Sequence, residues 1–241
     1  MIAIRQDSSG PRFVLASLLA AYPGDAFQEN IATLFESGDL ERGLTDSVRT
    51  RLGELKAKLS DLLGNSKALD DLRSEYIDSF DRGKQVNSLY ESEYGRERAM
   101  VKGTQLVDIA GFYRAFGLET GGEGVQVEMI DHVAVELEFY ALLVLKSTLL
   151  TEASNEEGIE IVLDARRKFL KDHLGRFVEA ICERPGVNSS SFYSSVFQYC
   201  RDLVKDECER LGVEVEKESW LGGNNSDQAE MSCGGSVGCT K

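Results

Sequence analysis

Apolar residues recur along most of this chain at intervals of three and four, the spacing that puts them on one face of an α-helix. Between residues 11 and 22, Val14, Leu15, Leu18, Leu19 and Tyr22 form one such stripe, opened by Pro11 and closed by Pro23 in a "YPGD" turn. A second, short helix is expected over 25–35, and a third over 45–63, stopped by Gly64 and Asn65. Leu69, Leu72, Tyr76, Ile77 and Phe80 mark a fourth, which ends near Gly83. In "TQLVDIAGFYRAFG" the residues Leu106, Ile109, Ala110, Tyr113 and Phe116 share a face, with Gly117 as a left-handed terminus and a "LETGGEG" loop after it. Residues 129–150 are apolar at 15 of 22 positions, so that helix should be central and show little of itself to water. Two long amphipathic helices follow. The first, over 156–181, carries Ile159, Val162, Phe169, His173 and Phe177 and is closed by Pro185; the second, Phe192–Leu211, is ended by Gly212. Runs that alternate apolar with polar, as a half-buried strand requires, are nearly absent. The expected fold is all-α: a single-domain bundle of about eight helices over residues 1–212, then a flexible polar tail over 213–241.

Composition narrows what such a bundle can do. The chain has 241 residues, enough for one sizeable core. Its 27 Lys and Arg face 41 Asp and Glu, a net charge of -14, so its field repels nucleic acid and anionic membranes and favours basic partners. The first ten residues lack the apolar core of a secretory signal, and a cytoplasmic location is expected. The longest apolar run, 139–145, has seven residues against the roughly 20 that a membrane span needs. Of five cysteines, Cys182, Cys200 and Cys208 fall on helical patterns and read as small apolar side chains. Cys233 and Cys239 lie in the tail string "SCGGSVGC", whose spacing matches no tight zinc motif, so neither a disulfide framework nor a metal site is expected.

Two strings carry the candidate chemistry. In "IDHVAVELEF", His132, Glu136 and Phe139 share a helical face, with Asp131 and Glu138 on a neighbouring one. A zincin site is excluded because the second histidine of H-E-x-x-H is missing. Here Asp131 can serve the positive helix terminus while His132 and Glu136 satisfy each other; the other reading makes His132 and Glu136 an acid and base pair, without a nucleophile or a cofactor fingerprint beside them. The second string is "SLYESEYGRERAM". Its Tyr and Glu suit a basic, partly apolar peptide, since tyrosine supplies amphipathic contact area and glutamate takes charge-assisted bonds from arginine. An interhelix connector whose tyrosines pack back on the bundle accounts for the same residues.

Taken in order, "LYESEYG", "LVDIAGFYRAFGL", "DHVAVELEF" and "FLKDHLGRF" resemble the cytoplasmic assembly chaperones of molybdoenzymes, the TorD/DmsD/NarJ group, and within it the branch serving type II enzymes of the DMSO reductase family. The resemblance covers roughly residues 11–211. It implies a non-enzymatic protein that binds the apo catalytic subunit of such a molybdoenzyme and its twin-arginine signal peptide, and holds it until the molybdenum cofactor is inserted. No resident cofactor is implied, and any contact with the molybdenum cofactor or a guanine nucleotide would be transient. The family's two functional strings map onto Tyr90, Glu91, Glu93, Tyr94 and Gly95, and onto Asp131, His132, Glu136 and Glu138, as partner-binding residues. Both a monomer and a dimer fit this picture. A helical adaptor without a signal-peptide role, or a small enzyme using His132 and Glu136, are the rival readings.

Overall fold

The computed structural model describes residues 8–82, 87–95, 98–118, 129–184 and 191–216, and side chains throughout these except at 98–101. The helices are α1 Gly10–Ala20, α2 Phe27–Glu36, α3 Asp46–Leu62, α4 Ser66–Tyr76, α5 Arg98–Ala115, α6 Val133–Glu152, α7 Glu156–Phe169, α8 Gly175–Cys182 and α9 Phe192–Leu211. A π turn, Leu170–Leu174, joins α7 to α8 without a break, so these two form one rod and the described bundle has eight rods. A second π turn, Ile77–Asp81, prolongs α4. The only β pairing among the described residues is a one-residue bridge. The all-α bundle anticipated from periodicity is the fold.

Local sequence explains where several helices begin and end. The side chains of Asn65, Asn155 and Ser191 accept the backbone N–H three residues on, at 2.9 to 3.2 Å, and so satisfy donors that the first turn of a helix leaves unpaired. At the far end of α9, Gly212 takes a left-handed φ of 67°, and the following N–H of Val213 returns to the Cys208 carbonyl.

The core lies where α1 packs along α6 and crosses α9, with α7 on the other side of α6 and α3 and α8 against α9. Two expectations about stripes change here. Val14 and Tyr22 are 38% and 43% exposed, whereas Phe13 and Ala16 are fully buried, because α1 is covered on two sides and not along a single stripe, and because Tyr22 lies past its end at Ala20. The α6 helix is central, yet Leu145 and Leu149 are more than half exposed. The reason is a face and not an end: Glu138, Leu145, Leu149 and Glu152 lie along one open stripe of α6, while Leu143, Val144 and Ser147 on its other faces are buried against α1 and α7. Cys182, Cys200 and Cys208 are free and buried, as their positions on the stripes suggested.

A buried ion network ties three helices together. The Arg166 guanidinium of α7 pairs with Glu207 of α9, and Glu207 also accepts from Tyr140 of α6 at 2.5 Å and from Arg210 at 2.7 Å. Arg166 further donates to Ser147 at 3.1 Å. After α9, Val213 and Val215 still pack on the core, so the bundle continues a few residues past 212. The remainder of the expected tail with Cys233 and Cys239, the stop at Gly83, most of the "LETGGEG" loop and Pro185 lie outside the described residues.

Candidate functional site

The two strings singled out in the sequence meet in space. Tyr90 and His132 form the isolated antiparallel bridge, in which the Glu91 N–H donates to the Asp131 carbonyl and the Val133 N–H to the Leu89 carbonyl, both at 2.9 Å. The rings of Tyr90 and His132 stand edge-on, 5.1 Å between centroids. The Asp131 carboxylate then accepts the Ser92 N–H at 3.1 Å, which fixes the turn Glu91–Glu93 against the start of α6.

His132, not Asp131, caps α6. Its Nδ1 accepts the Ala134 N–H at 3.2 Å, so the ring proton sits on Nε2, which faces the Tyr76 hydroxyl at 3.4 Å. Burial pushes its pKa down to about 4, and the ring is neutral at pH 7. No side-chain hydrogen bond joins His132 to Glu136, whose N–H meets only the His132 carbonyl in the first turn of α6, and this overturns both the mutual pairing expected for them and an acid and base pair built on it. The reason is the cap: a residue in extended conformation at the helix entrance points its ring back along the connector rather than up the helix.

Glu136 is fully buried, and neither of its carboxyl oxygens has a hydrogen-bond partner among the described residues; the same holds for Glu91 Oε1 and Asp131 Oδ1. Burial first, then the negative charges of Glu91 and Asp131, hold the Glu136 pKa well above the carboxylate range. Glu136 thus holds its proton more readily than an ordinary carboxyl group.

The connector faces inward. Glu91 is fully buried, its Oε2 held 3.1 Å from His173 Nδ1 of the π turn. Tyr94 is buried too: its hydroxyl donates to the Ser88 carbonyl at 2.5 Å, its ring packs on Phe177, and the Arg184 guanidinium lies 4.5 Å over it. An open contact surface made by Glu91 and Tyr94 is therefore not what this conformation presents. The physical cause is the bridge, which draws the connector against α5 and buries Leu89, Glu91, Ser92 and Tyr94. Tyr90, Glu93 and Gly95 remain half-buried; Glu93 pairs with Lys102 of α5 at 2.5 Å, and Gly95 turns the chain with a φ of 93° that an L side chain rarely adopts.

Of the nine predicted site residues, Glu138 alone is exposed, and it stands apart from the others on the edge of a groove between α1 and α6. Val14 and Leu18 of α1 and Leu142 and Leu145 of α6 line this groove, which has a volume of about 1020 Å³; Asp39, Glu138 and Glu152 and the single cation Arg42 also line it. Sequence reasoning missed the groove, because Val14 was placed in the core. It also missed the roles of Tyr76, Asp108 and His173. His173 could have been found from the "FLKDHLGRF" string, since it is one of only two histidines in the chain.

The fold and site define a helical protein whose buried ionisable groups are committed to internal joints and whose large concavity is apolar with an acidic rim. Among the described residues no group of three or more His, Cys, Asp and Glu could hold a metal ion, and no helix is long and apolar enough to cross a membrane. The model of the nitrate reductase delta subunit family matches residues 41–183, a span that carries both strings and the rod α7–α8 but neither α1 nor α9. The chain belongs to this family, the NarJ/TorD-type chaperones of molybdoenzyme assembly. No curated protein sequence matches the chain.

Proposed function

We propose that this protein is a cytoplasmic chaperone dedicated to one molybdoenzyme of the DMSO reductase family, of type II, and that it holds the apo catalytic subunit, with its twin-arginine signal peptide, until the molybdenum cofactor has been inserted into that client. The role is non-enzymatic. The observation that carries the reading is the groove between α1 and α6. A twin-arginine signal combines cationic residues with an apolar stretch, and the groove offers the complement of both: exposed Val14 and Leu145 for the apolar part, Glu138 and Glu152 at the rim for the cations. The net charge of -14 adds steering at long range.

The test is titration of a synthetic twin-arginine peptide, alongside co-purification of the catalytic subunit from the native host. Leu145→Asp should cost at least tenfold in peptide affinity without loss of fold, since Leu145 is more than half exposed. Glu138→Gln should weaken binding mainly at low ionic strength. Binding of both ligands that is indifferent to both substitutions would remove the groove from the reading. Absence of any molybdoenzyme subunit among co-purified proteins would remove the reading itself.

A further inference from the structure

His173 stands in the π turn with its two ring nitrogens against two different carboxylates: Nδ1 is 3.1 Å from Glu91 Oε2 and Nε2 is 3.1 Å from Asp108 Oδ2. A neutral imidazole has one N–H and one lone pair, so it donates to one of these carboxylates and turns its lone pair on the other. The imidazolium alone can donate to both. The three side chains come from three separate parts of the molecule: the connector, α5, and the rod α7–α8.

The attachment of α5 makes this arrangement consequential. Its main backbone neighbour is the turn Glu91–Glu93. Beyond that it is held by Lys102 to Glu93, by the Tyr113 hydroxyl donating to the Ile130 carbonyl at 2.8 Å, and by Ile109, Phe112 and Tyr113, while Val107 on its outer side is largely exposed. Phe112 packs edge-on against both Phe169 and the His173 ring, and Tyr113 lies on Phe139. Among the described residues, a short aromatic strip and three polar links fasten the helix.

We propose that His173 is a pH-sensitive clasp: charged, it fastens α5 and the connector to the bundle, and neutral, it lets α5 loosen from the Phe139–Phe169 face. The surroundings favour the charged state. Glu91 and Asp108 face the ring directly. Behind Glu91 stand Asp131 and, from α6, Glu136, whose pKa burial and these neighbours raise, and Arg176, one turn along the rod, is offset by Glu91, Asp172 and Glu216. Burial lowers the His173 pKa, but the bonds and charges of Glu91 and Asp108 outweigh it and hold the value above that of an ordinary histidine. The clasp is then fully closed below about pH 6.5, the unfolded value, and opens as pH rises through the higher folded value. This inference concerns α5 alone and stands whether or not the groove takes a signal peptide.

The experiment is amide hydrogen exchange of α5 from about pH 6 to about pH 8.5, corrected for intrinsic rates, with α6 and α9 of the same molecule as reference. Wild-type α5 should lose at least fivefold in protection relative to α6 and α9 as pH rises. Asp108→Asn should abolish that pH dependence while keeping α5 protected, because an amide N–H can donate to the Nε2 lone pair of a neutral ring. Asp108→Ala should leave α5 weakly protected at every pH. Protection of wild-type α5 that tracks α6 and α9 throughout, or a wild-type pH response retained in Asp108→Asn, overturns the proposal, as does a His173 ring signal that titrates at or below about 6.5.

Discussion

Tyr90 and His132 face each other across a single antiparallel bridge, and that one pairing turns two distant polar strings into a single joint. The connector donates to the residue before the α6 cap and α6 donates back to the connector, so neither string has its observed conformation without the other.

Asp131 is the first place to test this joint. Its carboxylate takes the buried Ser92 N–H. In Asp131→Ala that donor loses its acceptor, which should cost about 1 to 3 kcal/mol in urea denaturation. Asp131→Asn keeps an acceptor oxygen and should cost clearly less. Equal midpoints for wild type and Asp131→Ala would mean the bridge does not depend on the side chain.

Glu136 should behave as a destabilising group at neutral pH. Its folded pKa lies above the unfolded one, so the native state binds more protons, and stability falls as pH climbs from about 4.5 toward the folded value. Glu136→Gln removes this loss and should be the more stable protein at pH 7, by on the order of 1 kcal/mol or more, with the advantage vanishing near pH 4. A wild type that outlasts Glu136→Gln at pH 7 would show that the acid is bonded more favourably than its surroundings indicate.

His132 acts with the opposite sign. Its folded pKa of about 4 lies below the unfolded value, so stability is full above about pH 6.5 and is lost as pH falls toward 4, by about 3 kcal/mol over that window. His132→Asn can still accept the Ala134 N–H and carries no titrating ring, so it should flatten this acid limb. The measurement is the urea midpoint as a function of pH, and an unchanged limb would assign the loss to other groups.

In the buried network, Arg166→Met leaves Glu207 with Tyr140 and Arg210 but strips its enclosed partner. The expected loss is about 3 kcal/mol, and Arg166→Met with Glu207→Leu should recover much of it, because a buried pair is costly to break and much less costly to replace. A double variant as unstable as the single one would mean that shape, not charge, is what the pair contributes.

Much of this architecture was legible from spacing alone. The helix Phe192–Leu211 was ended correctly at Gly212 because a left-handed stop is a local signal. The first stripe was misjudged at Val14, because periodicity reports one covered face and α1 has two, and at Tyr22, because the helix already ends at Ala20. The site was half legible. Its residue types were found, but their burial was not, since the bridge between Tyr90 and His132 is a long-range pairing that no window of sequence contains. His173 was read as a position on an apolar stripe, and its second partner, Asp108, lies on a helix whose outer face is polar.

The π turn at Leu170–Leu174 makes residue count itself a functional variable. Such a turn closes from i to i+5, and so holds one residue more than the α-turns on either side. Each residue of a helix advances it by about 100°. Removing the exposed Lys171 would let the rod run on as plain α-helix, and everything beyond would swing by that angle relative to α7. Phe177, Val178 and Ile181, now fully buried, would leave their places against the bundle, and the ring that meets Glu91 would be pointed elsewhere. Sequence changes that keep every side chain but alter the length of this segment by one are thus expected to be less tolerated than most substitutions within it.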